Sequence, residues 1–195
     1  MSLRNNAIGN IDDSILDAAR ACLVQFGVRR TTVSEVARRA GVSRPTVYRR
    51  WPDSDRLLAD LLTRELQQVM FDALAASSGS DTRATLVSTL SGGAAAVRAN
   101  PVFSSLFQTD PELMATYVFQ RAGSSQRALL AAFEDAVRAG QRDGSVRDGN
   151  PAELAGLLLL LAQSTVQSAR LVAEQLPEDR LTAELAHAVD AYLRP

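Results

Sequence analysis

Apolar residues along this chain return every three or four positions, and the strict alternation of a half-buried strand is almost absent. That spacing predicts an all-α protein. Breaks in the pattern mark the helix ends: Gly27, Gly41, Trp51-Pro52, Ser77-Ser78-Gly79-Ser80, Asn100-Pro101, Asp110-Pro111, Gly123, the stretch 140–151 and Pro177. They divide the chain into roughly nine helices, three of them before residue 52, with no repeat of solenoid length. The first is expected over residues 12–26. Asp12 and Asp13 would sit in its first turn, where acids suit the helix dipole. Ile15, Ala19, Cys22 and Phe26 share a stripe with Leu16 and Leu23 beside it, so Cys22 is expected to pack as a small hydrophobe.

The pattern is most informative after Thr31. Thr32 can cap a helix, and Glu35 three residues later completes the sequence of a capping box. Val33, Val36, Ala37 and Ala40 fall at i, i+3, i+4 and i+7 and give one buried face, with Arg38 and Arg39 away from it. Gly41 supplies the positive φ of a tight turn between helices. Ser43 then caps a new helix, and Pro45 is tolerated because first-turn amides lack helical partners. At about 100° per residue, Val47 and Trp51 share the inward face. Pro45, Thr46 and Arg49 point outward, flanked by Tyr48 and Arg50, with Arg44 projecting from the first turn. A short helix offering hydroxyls, an aromatic ring and arginines to solvent has the chemistry of a recognition helix in a DNA major groove.

Charge supports this. Residues 1–56 hold ten arginines and six acids, a net of +4, whereas residues 57–195 carry a net of -5. A basic head on an acidic body is the balance expected when one end meets a polyanion. The chain has no lysine, a bias given no functional weight. It has one cysteine, Cys22, and one histidine, His187, which leaves no disulfide framework, no cysteine-based zinc site and little for a catalytic relay or metal cluster. No cofactor and no catalytic residue is expected. The longest apolar run, Leu154 to Ala162, is too short to span a bilayer and reads as a buried helix, and residues 1–10 lack a signal-peptide core. The expectation is a cytoplasmic protein without a membrane partner.

Residues 15–58 resemble the N-terminal domain of the tetracycline-repressor (TetR) family. The resemblance is carried by Ile15-Leu16-Asp17-Ala18-Ala19, Thr32-Val33-Ser34-Glu35-Val36-Ala37, Ala40-Gly41-Val42-Ser43, Thr46-Val47-Tyr48, Trp51 and Leu57-Leu58. It implies a three-helix DNA-binding head over residues 1–54. It also implies a helical ligand-binding and dimerisation domain over residues 55–195, joined through a long fourth helix, and a homodimer built from the last two long helices. Carried onto this chain, Thr32, Ser43 and Tyr48 would contact phosphates or base edges, with Pro45, Thr46 and Arg49 at the groove floor. Arg44 and Arg50 would meet phosphate or reach a base. Family members usually carry a lysine near the start of the fourth helix, where this chain has Asp55. Either Arg56 takes over that phosphate contact or the contact is absent. Trp51 stands where phenylalanine is usual.

Beyond residue 60 the resemblance is one of architecture. A connecting helix is expected over 55–76, with Leu57, Leu58, Leu61, Leu62, Leu66, Val69 and Met70 facing neighbours. A helix beginning near Asp81 is expected to be interrupted at Gly92-Gly93. Helices over 150–175 and 178–193 offer a broad leucine face and small residues suited to a four-helix dimer bundle, or to packing within the monomer. Candidate pocket residues are Phe71, Leu90, Phe103, Phe107, Met114, Tyr117, Gln120, Phe133 and Gln163, a few polar groups among apolar ones, each of which also suits plain core. His187 reads as a surface or interface residue.

The function expected is a ligand-responsive transcriptional regulator, a repressor released from a palindromic double-stranded DNA operator by a small, largely apolar effector. The alternatives are a helical small-molecule-binding protein without specific DNA binding, an activator, and a regulator without ligand. An enzyme is disfavoured because no glycine-rich phosphate loop, metal cluster or paired carboxylates occur.

Overall fold

The computed structural model describes residues 2–109 and 124–195, with side chains over 11–107 and 126–195. Every regular element among them is helical: α1 (Ser2–Phe26), α2 (Val33–Ala40), α3 (Arg44–Tyr48), α4 (Ser54–Ala76), α5 (Thr82–Ala99), α6 (Pro101–Thr109), α7 (Ser124–Arg142), α8 (Pro151–Ser168) and α9 (Glu178–Leu193). Short 3-10 turns occupy Val28–Arg30 and Ala169–Val172. The chain forms two compact units, one of residues 1–65 and 101–120, the other of residues 66–100 and 121–195.

In the first unit α1 packs on α2 and α6, and α2 on α3. Its core is the predicted stripe, with Ile15, Ala19, Cys22 and Leu23 fully enclosed beside Val36, Val47, Leu57 and Leu61. Burial pushes the Cys22 thiol above its ordinary value, as expected for an inert packing thiol. Two expectations for α1 fail. The helix starts at Ser2, so Asp12 and Asp13 lie mid-helix and serve side-chain pairs instead of the dipole. Phe26, in the last turn, is 37% exposed, because the stripe drifts off the core as the helix ends. Between α1 and α4, Arg64 bonds Asp17 at 2.7 Å and Arg20 bonds the buried Glu65 at 3.1 Å.

In the second unit α5 runs through the middle, flanked by α7, α8 and α9. Leu86, Leu90 and Ala94 of α5 meet Phe133 and Val137 of α7, Leu154 and Leu158 of α8, and Leu185, Val189 and Leu193 of α9. Asp81 caps α5 by accepting the Ala84 amide at 2.8 Å. The helix passes unbroken through Gly92-Gly93, contrary to expectation. At Gly93 a Cβ would stand 3.2 Å from the Met70 Sδ of α4, so the missing side chain permits a close approach and marks no break. The loop before α8 is fastened to α9: the Arg147 amide donates to the Leu193 carbonyl at 2.8 Å and its guanidinium lies over the Tyr192 ring.

Helix α8 is shorter than expected, giving way to a 3-10 turn at Ala169. Its leucine run is not buried all round. Leu154, Leu158 and Leu159 are core, whereas Leu157 is 38% and Leu160 61% exposed, since consecutive residues project around the whole helix and the chain covers only one side. By length and composition Pro151–Val172 would suffice to cross a membrane, but its inner face belongs to this helical core.

Candidate nucleic-acid interface

Helices α2 and α3 form a helix-turn-helix. Gly41, with φ 67° and ψ 25°, ends α2 in the left-handed region, and its amide returns to the Ala37 and Arg38 carbonyls. The Ser43 hydroxyl oxygen caps α3 by accepting the Thr46 amide at 3.3 Å. Val47 is fully buried, and Trp51, just past α3, is 5% exposed. These anchors matter because a five-residue helix has little stability of its own and takes its orientation from packing. Trp51 adds a contact that spacing does not reveal: its indole Nε1–H donates to the Asp60 carboxylate of α4 at 2.8 Å.

The capping box at α2 is only half made. The Thr32 oxygen accepts the Glu35 amide at 3.3 Å, but the Glu35 carboxylate turns to Arg38 rather than to the Thr32 amide, which donates to the Arg30 carbonyl at 3.0 Å. The bidentate guanidinium is the stronger partner for a carboxylate, and it holds Glu35 below its ordinary pKa. Arg38 is thereby engaged, and Arg39 donates to the Gln25 side chain at 2.7 Å.

On the outward side of α3, Arg44, Pro45, Tyr48 and Arg49 are exposed, and Tyr48 is 50% so. Thr46 is half-buried, its hydroxyl 2.8 Å from that of Ser43. Arg30, Arg44, Arg49 and Arg56 are exposed and meet no carboxylate among the described residues. Thr32 and Ser43 are exposed as well, which adds two hydroxyls to the exposed surface of the helix-turn-helix. Arg50 differs. Its side chain is 17% exposed and its Nε pairs with Asp12 of α1, which removes it from that surface. Neither Asp12 nor Asp60 carried a local signal, because each meets its partner across the tertiary fold.

The candidate pocket residues are distributed over both units. Phe103 is buried in the first unit with Phe107 nearby in α6, whereas Leu90 and Phe133 are core of the second and Gln163 is half-buried on α8. Phe71 is 68% exposed on α4 and is not enclosed by any described residue of its unit. Met114, Tyr117 and Gln120 lie outside the described residues. Among the described residues no group of three or more metal-binding side chains occurs.

An all-helical chain with this helix-turn-helix defines a class of DNA-binding regulators, and comparison with known proteins fixes which. The sequence profile described as bacterial regulatory proteins, tetR family, matches residues 15–61. HTH-type transcriptional regulator Rv2250c of Mycobacterium tuberculosis (strain ATCC 25618 / H37Rv) is 41% identical over 179 residues, 92% of each chain. The chain therefore belongs to the TetR family and is a DNA-binding transcriptional regulator. Among solved structures, a TetR-family regulator from Rhodococcus sp. aligns with TM-score 0.73 at 23% identity, covering 95% of this chain and 99% of the other. The SmeT–triclosan complex aligns with TM-score 0.67 at 21% identity, covering 95% and 92%. Both share the fold.

Proposed function

We propose that the protein is a homodimeric, cytoplasmic repressor that binds a palindromic operator through residues 1–54 and releases it when a small, largely apolar effector binds within residues 55–195. The observation that carries this is the outward face of α3: Arg44, Pro45, Tyr48 and Arg49 are exposed around a helix anchored by Val47 and Trp51. Arg49 and Thr46 are the residues for base edges, with Arg44, Thr32, Ser43 and Tyr48 for phosphates or flanking bases. Arg30 and Arg56 are exposed and supply further cations, and Arg56 directly follows the exposed Asp55. The uncovered leucines of α8, Leu157 and Leu160, and Leu171 of the following turn at 84% exposure support a dimer. A two-fold dimer sets its recognition helices on half-sites about 34–36 Å apart. An effector that favours a different separation lowers operator affinity by binding one arrangement better than the other. The triclosan complex of SmeT supports an effector of this character.

Selection of bound duplexes from a random pool tests the reading. The expected result is a short palindrome bound with strong salt dependence. Replacing Tyr48 or Arg49 by alanine should lower operator affinity at least tenfold while the dimer stays folded. A pool that returns no enriched sequence, or two variants that bind like the parent, refutes it. An apolar compound that weakens binding in the same assay identifies the effector class.

A further inference from the structure

Arg50 stands next to the DNA-facing helix in sequence, yet its guanidinium turns inward. Its Nε pairs with Asp12 of α1, and its Nη1 lies 3.5 Å from the Thr46 carbonyl oxygen of α3. The side chain is 17% exposed, against 36% for Asp12, so solvent and salt screen the pair less than a surface pair. Arg44 and Arg49, two exposed cations of the same stretch, meet no carboxylate among the described residues. Asp13 and Asp17, the neighbouring acids of α1, are directed at Arg64 instead, which leaves Asp12 as the partner of Arg50.

We infer that Arg50 is a positioning residue: Asp12 holds it against α1, so that it orients α3 while being withheld from the DNA phosphates. This rests on the DNA-binding reading above and deepens it. The physical reason lies in the size of α3, five residues that cannot define their own axis. Val47 and Trp51 fix its inner face by apolar contact, which resists separation but directs rotation weakly. Arg50 adds an ionic tether, with its Nη1 at the Thr46 carbonyl of α3, where a cation suits the dipole, and its Nε paired with Asp12 of α1. Holding the guanidinium back also has a consequence for affinity. Each cation that reaches phosphate strengthens binding to every duplex alike, so one cation fewer lowers binding to random DNA and makes all binding less salt-dependent.

The test is fluorescence anisotropy with the selected operator and a scrambled duplex between 50 and 200 mM salt. In Asp12→Asn the tether loses its charge and Arg50 is released. The slope of log affinity against log salt should steepen by about 0.9, one extra phosphate, and binding of the scrambled duplex should rise. Because of that slope, the gain over the parent should shrink about 3.5-fold across the salt range. In Arg50→Gln operator affinity should fall tenfold or more with the slope unchanged, and Arg50→Lys should restore part of the loss. The double variant should keep the parental slope. Thermal melts of each variant separate these effects from unfolding. A slope flattened by about 0.9 in Arg50→Gln would make Arg50 a phosphate contact and overturn the inference while leaving the DNA reading intact. So would an Asp12→Asn slope equal to the parent's. Failure of the parent to bind any duplex overturns the DNA reading, and the inference with it.

Discussion

Replacing Trp51 by phenylalanine separates packing from hydrogen bonding at the joint between α3 and α4. Trp51 is 5% exposed, and its indole donates to Asp60 at 2.8 Å. Phenylalanine keeps an aromatic ring in the core but removes the N–H and part of the buried area. A hydrogen bond to a charged acceptor contributes about 1.5–3 kcal/mol. Asp60 is itself exposed and can return to water, so the lower end applies. The smaller ring removes about 1 kcal/mol more. The sum, about 2–3 kcal/mol, corresponds to a melting-temperature drop of roughly 4–12 °C for a chain of this length. Asp60→Asn retains a neutral acceptor and should cost about 1 kcal/mol. Circular-dichroism melts of both single variants and the double variant form a cycle, and the two losses should overlap by about 1 kcal/mol. If Trp51→Phe melts within a degree of the parent, or if the two losses simply add, the Trp51–Asp60 bond does not hold this joint together.

Three further outcomes are expected. Gly41→Ala meets no atom within 4 Å of the new Cβ, so its cost is the left-handed backbone alone, about 1–2 kcal/mol in a denaturant titration. A loss below 0.5 kcal/mol would contradict the turn geometry. Asp143 is held down to about 2, first by the Ser145 hydroxyl and then by the Thr82 hydroxyl and their amides, from an ordinary value of 3.8. Because the folded value is the lower one, its stabilising effect is present above pH 4 and is lost as pH falls towards 2. Asp143→Asn should therefore flatten the acid limb of stability in that window, and an unchanged limb would show the carboxylate to be uninvolved. Leu160 is 61% exposed, and a two-fold interface would cover it twice. Leu160→Ala should then weaken self-association by about 2–4 kcal/mol, roughly 30- to 700-fold, in sedimentation equilibrium. An unchanged dissociation constant places the interface elsewhere.

Local physics determined much of this protein from the sequence alone. Turn glycine, capping serine and the three-and-four spacing of Val33, Val36 and Ala37 act within a few residues, and they define α2, α3 and the inward direction of Val47 and Trp51. The boundaries of α9 were legible for the same reason, since Pro177 and the apolar spacing to Leu193 are local signals. Tertiary contact decided the rest. Arg50 read as a cation for phosphate or a base because spacing describes a helix face but not what packs beside it, and Asp12 lies 38 positions away on another helix. Glu35 completed a capping box on paper, yet a guanidinium one turn along offered a better partner than a backbone amide. Nine apolar residues in a row read as a buried helix, but a helix buries only the face its neighbours cover, and Leu157 and Leu160 were left outside. Direction along one helix is a property of the sequence; company across the fold is not.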